Sequence, residues 1–124
     1  MIIVASSNIF RRELSIFTLA EANYRVREAA NLGELLARIN QASFALIIVD
    51  VQLDGLNVVE LHELLRERTA APLLWIGPAA MVGELGLSER DPLSGFVGWP
   101  YTPEELLLNV AQLSRRVSTN PVLD

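Results

Sequence analysis

Six consecutive residues near the middle of the chain constrain its fold most: Ala45, Leu46, Ile47, Ile48, Val49 and Asp50. Five apolar residues run straight into a carboxylate, and Gly55 follows in the next turn. A short, continuous apolar run bounded by turn residues fits a strand buried on both faces, as in the middle of a parallel sheet. Such a strand delivers Asp50 to the carboxyl edge of the sheet, where α/β folds place their sites.

The flanking sequence supplies the rest of such a sheet. Residues 1–5 are apolar and end at Ser6, Ser7 and Asn8, which predicts a first strand and then a helix capped by Asn8 or Ser7. Phe10, Leu14 and Phe17 recur at i, i+4, i+7 and predict the buried face of that helix, with Arg11, Arg12 and Glu13 turned away. Residues 24–27 predict a short second strand. Asn31 followed by Glu34 reads as a capping box, and Leu32, Leu35, Leu36 and Ile39 form a helical stripe behind it. Beyond the Asp54-Gly55 turn, Val58, Leu61 and Leu65 mark a third helix. Pro72 opens a fourth strand at 73–76, with Trp75 in the core, and Gly77-Pro78 stops it. Residues 79–87 predict a fourth helix, weakened by Gly83 and Gly86 at about 1 kcal/mol each.

Residues 95–98 predict a fifth strand. Thr102, Pro103 and Glu105 occupy the N-cap, N1 and N3 positions of the last helix, whose inner face is Leu106, Val110, Leu113 and Val117. Strands thus alternate with helices five times. That order predicts an α/β fold: a doubly wound, five-stranded parallel sheet with helices on both faces, a three-layer sandwich. The domain spans residues 1–117, and 118–124 form a tail or the start of a linker.

Composition narrows the function. A chain of 124 residues with 51% hydrophobic content suits one packed domain. Ten basic against fifteen acidic residues, a net charge of −5, argue against direct nucleic-acid binding. The absence of cysteine removes disulfides, thiolate metal sites and cysteine nucleophiles. The single histidine, His62, excludes a multi-histidine metal site and is expected to be solvated on the third helix. No apolar run approaches the roughly 18 residues of a membrane span, and no signal-peptide pattern opens the chain, so the cytoplasm is the expected location.

The strand ends carry Ser6-Ser7, Asp50, Gly77-Pro78 and Trp99-Pro100. With the Asp50-x-x-Leu53-x-Gly55 turn, Pro72 and the run from Gly95 to Leu106, they resemble the receiver domain of two-component response regulators, a flavodoxin-like fold, across residues 1–117. The resemblance implies a phosphorylation switch. An aspartate at the Asp50 position takes a phosphoryl group from a histidine kinase, and two acidic residues after strand one hold Mg²⁺. A Thr or Ser after strand four and a Lys before the strand-five proline contact the phosphate. An aromatic at the Phe96 position follows that movement.

This chain departs from the pattern. Ser6 and Ser7 replace the acidic pair, Gly77 the Thr or Ser, and Trp99, before Pro100, the Lys; Asp54 stands for a proline and Val58 for a glycine. Of the five residues that act on phosphate, Asp50 alone is kept. Transfer to a carboxylate needs the negative charge neutralised, and Mg²⁺ needs carboxylate ligands. Mg²⁺ binding is therefore expected to be lost or very weak. The pocket is expected to be repacked, with Trp99 over or near Asp50 and Asp54 pointing to solvent.

The function expected from this is an atypical, or pseudo-, receiver without enzymatic activity or cofactor. It would act as a phosphorylation-independent protein-interaction module in bacterial signal transduction or transcription regulation. The interaction surface is expected on the fourth helix, fifth strand and last helix, including Trp99 and Tyr101. The partner would be another protein, an output domain or a second copy, with no nucleic acid, membrane or known small molecule. Phe96 and Tyr101 read as packing residues more readily than as switch residues. Two alternatives stand beside this reading: a phosphoacceptor receiver using Asp50, and a small-ligand sensor.

Overall fold

The computed structural model describes residues 1–81 and 91–119. Five strands, β1 (Ile2–Ala5), β2 (Val26–Ala29), β3 (Leu46–Asp50), β4 (Leu73–Pro78) and β5 (Ser94–Trp99), form one sheet. All pairings are parallel, in the order β2-β1-β3-β4-β5. Helices α1 (Ile9–Glu21), α2 (Leu32–Gln41), α3 (Val58–Arg68) and α4 (Pro103–Thr119) cover its two faces. Leu19 of α1 and Leu106, Val110 and Leu113 of α4 pack on one face with Val4, Ile48 and Ile76. Leu35 of α2 and Leu61 and Leu65 of α3 pack on the other with Ile47, Val49 and Trp75. The doubly wound sandwich read from the sequence is the fold observed.

Winding reverses between β1 and β3, and the carboxyl ends of those neighbours form the crevice where this class of sheet places its sites. The whole of β3 is buried, so Asp50 reaches that crevice from the densest part of the core. The caps hold as read. Asn8, Asn31 and Thr102 accept the backbone N–H three residues on, at 3.0, 2.8 and 3.2 Å. Glu34 reaches back to the N–H of Ala30 at 3.2 Å.

Several boundaries move. The second strand starts two residues later than the 24–27 segment, and α4 runs to Thr119, past residue 117. The expected helix at 79–87 lies mostly outside the described residues; its first three, Ala79–Met81, form a single 3₁₀ turn. The larger correction concerns α1. Phe10, Leu14 and Phe17, expected to be its core face, are 80, 41 and 64% exposed. The inner face is Arg11, Ser15, Thr18 and Leu19 instead. Two of its polar members find partners across the fold: Ser15 bonds Tyr101, and Arg11 pairs with Asp50 at the sheet edge.

Candidate functional site

Asp50 ends β3 with 1% of its surface exposed. A carboxylate buried this deeply needs donors, and three converge on it. The Ser6 hydroxyl, just past β1, donates to Oδ2 at 2.9 Å. The backbone N–H of Gln52 donates to Oδ1 at 3.0 Å. Arg11, in the first turn of α1, donates from Nη1 to Oδ2 at 3.0 Å, forming an ion pair.

Arg11 is held from two further directions. Its Nη2 donates to Gln52 Oε1 at 3.3 Å. Its guanidinium carbon lies 5.8 Å from the centre of the Trp99 ring, within cation–π range. Trp99 in turn meets Tyr101 edge-on at 5.1 Å, and the Tyr101 hydroxyl bonds Ser15 on α1. Burial raises the Tyr101 pKa; the Ser15 hydrogen bond opposes that rise and the Asp50 charge adds to it. A continuous chain therefore joins Asp50 to Arg11, Trp99, Tyr101 and back to α1.

Trp99 covers the arginine that pairs with Asp50, which places it near Asp50 without lying directly on the carboxylate. Tyr101 is buried at 9% exposure and faces the core, so it is not part of an interaction surface. Trp99 is half-buried and Pro100, joined to it by a cis peptide bond, is exposed. Ser6 is in the site as a donor, whereas Ser7 is exposed and contacts Asp54 at 3.4 Å. Asp54 does not point freely to solvent. Its Oδ2 accepts the N–H of Leu32 at 2.9 Å, tying the loop after β3 to the start of α2.

Gly77 is buried at the end of β4, with its Cα side filled by a neighbour. A Cβ there would lie 2.5 Å from Val51 Cγ2 and 3.4 Å from Phe96 Cζ. Val51 thus fills the space a hydroxyl-bearing side chain would take, and Phe96 packs partly buried against the same cluster. His62, expected to be solvated, instead bonds Asp91 at 3.0 Å beside the Arg66–Asp91 ion pair at 2.6 Å.

Arg11, Gln52 and Val51 are the site residues that the sequence reading missed. One signal was present. Arg11, Ser15, Thr18 and Ala22 form a second stripe at helical spacing, of small residues headed by an arginine. The site fits Mg²⁺ poorly. It offers one carboxylate and one neutral hydroxyl, and a guanidinium already holds the carboxylate oxygen that a divalent ion would need. Among the described residues no cluster of three His, Cys, Asp or Glu stands ready for a metal, and no helix is long and apolar enough to cross a membrane. A cleft of about 240 Å³, lined by Ser7, Asn8, Arg11, Asp50 and Gln52, opens beside the ion pair.

No established family profile matches the chain. The transcriptional regulatory protein ResD of Bacillus subtilis is 26% identical over 118 residues, covering 95% of this chain and 49% of ResD. This chain thus spans about half the length of that relative. The receiver domain of NtrX from Brucella abortus superposes with a TM-score of 0.80 at 24% identity, covering 97% of this chain and all of that one. The chemotaxis response regulator CheY4 of Vibrio cholerae also gives 0.80 at 24% identity, covering 90% of this chain and 96% of that one. The fold is the CheY-like receiver fold of response regulators.

Proposed function

We propose that this chain is a receiver domain of a two-component system in which a fixed internal ion pair has replaced phosphotransfer. It acts by binding protein rather than by catalysis, in cytoplasmic signalling or transcription regulation. The carrying observation is Arg11 on Asp50. In a working receiver the aspartate must be free to meet a metal-bound phosphoryl group. Here its inner oxygen accepts a guanidinium and a serine hydroxyl, and its other oxygen accepts a backbone N–H. The cation that phosphorylation chemistry would draw from solution is supplied permanently by the chain. The packing of Val51 and Phe96 around Gly77 supports the same reading, since no hydroxyl there can follow a phosphate.

The test is a Mg²⁺ titration with and without beryllofluoride, a phosphoryl mimic, read by tryptophan fluorescence. Trp99 sits on the guanidinium that bonds Asp50 and reports its displacement; a Trp99→Phe control measures the Trp75 background by itself. The expected result is no saturable change through the millimolar range. A saturable, Mg²⁺-dependent change that disappears in Asp50→Asn would overturn the proposal and restore a phosphoacceptor.

A further inference from the structure

The exposed face of α1 has no role in the site chemistry, and it is apolar. Ile9, Phe10, Leu14 and Phe17 are 50, 80, 41 and 64% exposed. Taking a fully exposed large apolar side chain as roughly 150–200 Å², these four alone present about 400 Å² of apolar surface. A patch of that size is at the level that marks a binding face on a monomer. Next to it runs a groove of about 500 Å³ between α1 and α4, lined by Leu14, Phe17, Thr18, Ala22, Pro103 and Leu107, with Glu21 at its rim.

We propose that this face binds a second copy of the same chain, through antiparallel pairing of the two α1 helices about a two-fold axis near Leu14. Three observations favour a second copy over an unrelated protein. The face carries both a ridge, at Phe10 and Phe17, and a groove, which is what a self-complementary surface needs. Leu14 lies between Phe10 and Phe17, so a two-fold passing between residues 13 and 14 sets Phe10 of each copy against Phe17 of the other and leaves the two Leu14 side chains about one residue out of register, still adjacent. The same register carries Glu21 past the end of the partner helix, over its capped N-terminus, where a negative charge is favourable. The basic residues of α1 do not interfere, because Arg11 and Arg12 are turned inward to Asp50 and to the Ser6 carbonyl.

The size is also right. These four side chains supply about 400 Å² of apolar surface a side, close to the apolar share of the roughly 800 Å² a side that a standard stable interface buries. The α1 ridge lies outside the surface expected from the sequence, on the fourth helix, fifth strand and last helix, while its groove borders the last helix at Pro103 and Leu107. It does not depend on whether Asp50 accepts phosphate.

The experiment combines sedimentation velocity over a concentration series with directed cross-linking. The chain has no cysteine, so single cysteines report without background. A reversible dimer is expected, lost in Phe10→Glu, which leaves the circular dichroism and, at dilutions where both proteins are monomeric, the melting temperature unchanged because the side chain is 80% exposed. Under mild oxidation Leu14→Cys links to its own copy. Phe10→Cys alone stays unlinked but links when mixed with Phe17→Cys, and Glu63→Cys on α3 serves as the negative control. A monomer up to several hundred micromolar would overturn the proposal and leave the face to a different protein. A dimer that survives Phe10→Glu, or one in which Leu14→Cys stays unlinked, would overturn it by placing the interface elsewhere.

Discussion

The Arg11 guanidinium donates to Asp50 Oδ2 across 3.0 Å, joining the first turn of α1 to the last residue of β3. The Asp50 side chain is 2% exposed and that of Arg11 18%. Removing one partner of a buried pair strands the other charge, which costs about 3–5 kcal/mol where burial is complete. Asp50 keeps two other donors, so Arg11→Ala is expected to cost about 2–3 kcal/mol in urea unfolding. In an Asp50→Asn background the same change should cost under about 1 kcal/mol, because no charge is left unpaired. Equal costs in the two backgrounds would mean that the pair contributes nothing beyond packing.

The space beside Gly77 gives an independent check on the repacked pocket. Gly77→Thr places a hydroxyl-bearing side chain at the end of β4 but drives a Cβ to 2.5 Å from Val51 Cγ2. Overpacking of this kind costs about 1–3 kcal/mol. Val51→Ala removes the clashing methyl groups, so the double variant Gly77→Thr/Val51→Ala should be more stable than Gly77→Thr alone, by thermal unfolding. A double variant less stable than Gly77→Thr would show that Val51 is not the obstacle.

The loop after β3 has a backbone requirement and a capping role in one residue. Asp54 has φ of 52°, in the left-handed region that Asp, Asn and Gly tolerate best. Its carboxylate also satisfies the Leu32 N–H, an otherwise unpaired donor at the start of α2. Asp54→Asn keeps both features and should be near neutral. Asp54→Ala loses both and should cost about 1–2 kcal/mol. Asp54→Gly keeps only the backbone and should fall between them. Chemical denaturation of the three variants orders the two contributions.

The sheet was legible because β3 and its neighbours are buried on both faces, and a continuous apolar run has few other uses. Caps were legible because Asn8, Asn31 and Thr102 act on residues three positions away. The phase of α1 was not, because periodicity counts apolar residues and assumes they face inward. The inner face of α1 mixes Leu19 with Arg11, Ser15 and Thr18, and its polar members Arg11 and Ser15 are held by Asp50 and Tyr101, which come from distant parts of the chain. His62 was misread for the same reason: its partner, Asp91, arrives from beyond β4. A local pattern finds a strand, but pairing across the fold decides which polar side chains are buried.

That Asp91 cluster sets an acid limit on stability. Burial pushes the Asp91 carboxyl up, but hydrogen bonds from Arg66, His62 and the Leu93 N–H outweigh it and lower the pKa from 3.8 to about 2. The folded state therefore binds the proton more weakly than the unfolded state. The stabilisation is fully present above the unfolded pKa and is lost as pH falls from about 4 through 2. A shift of this size corresponds to on the order of 2 kcal/mol, since the side chain is only 14% exposed. Asp91→Asn removes this titration, so its stability should fall less steeply than the wild type's between pH 4 and pH 2, measured by urea unfolding at each pH. At neutral pH the variant should be the less stable of the two, because Arg66 loses the carboxylate it bonds at 2.6 Å. Parallel pH profiles for the two proteins would show that Asp91 does not govern acid unfolding.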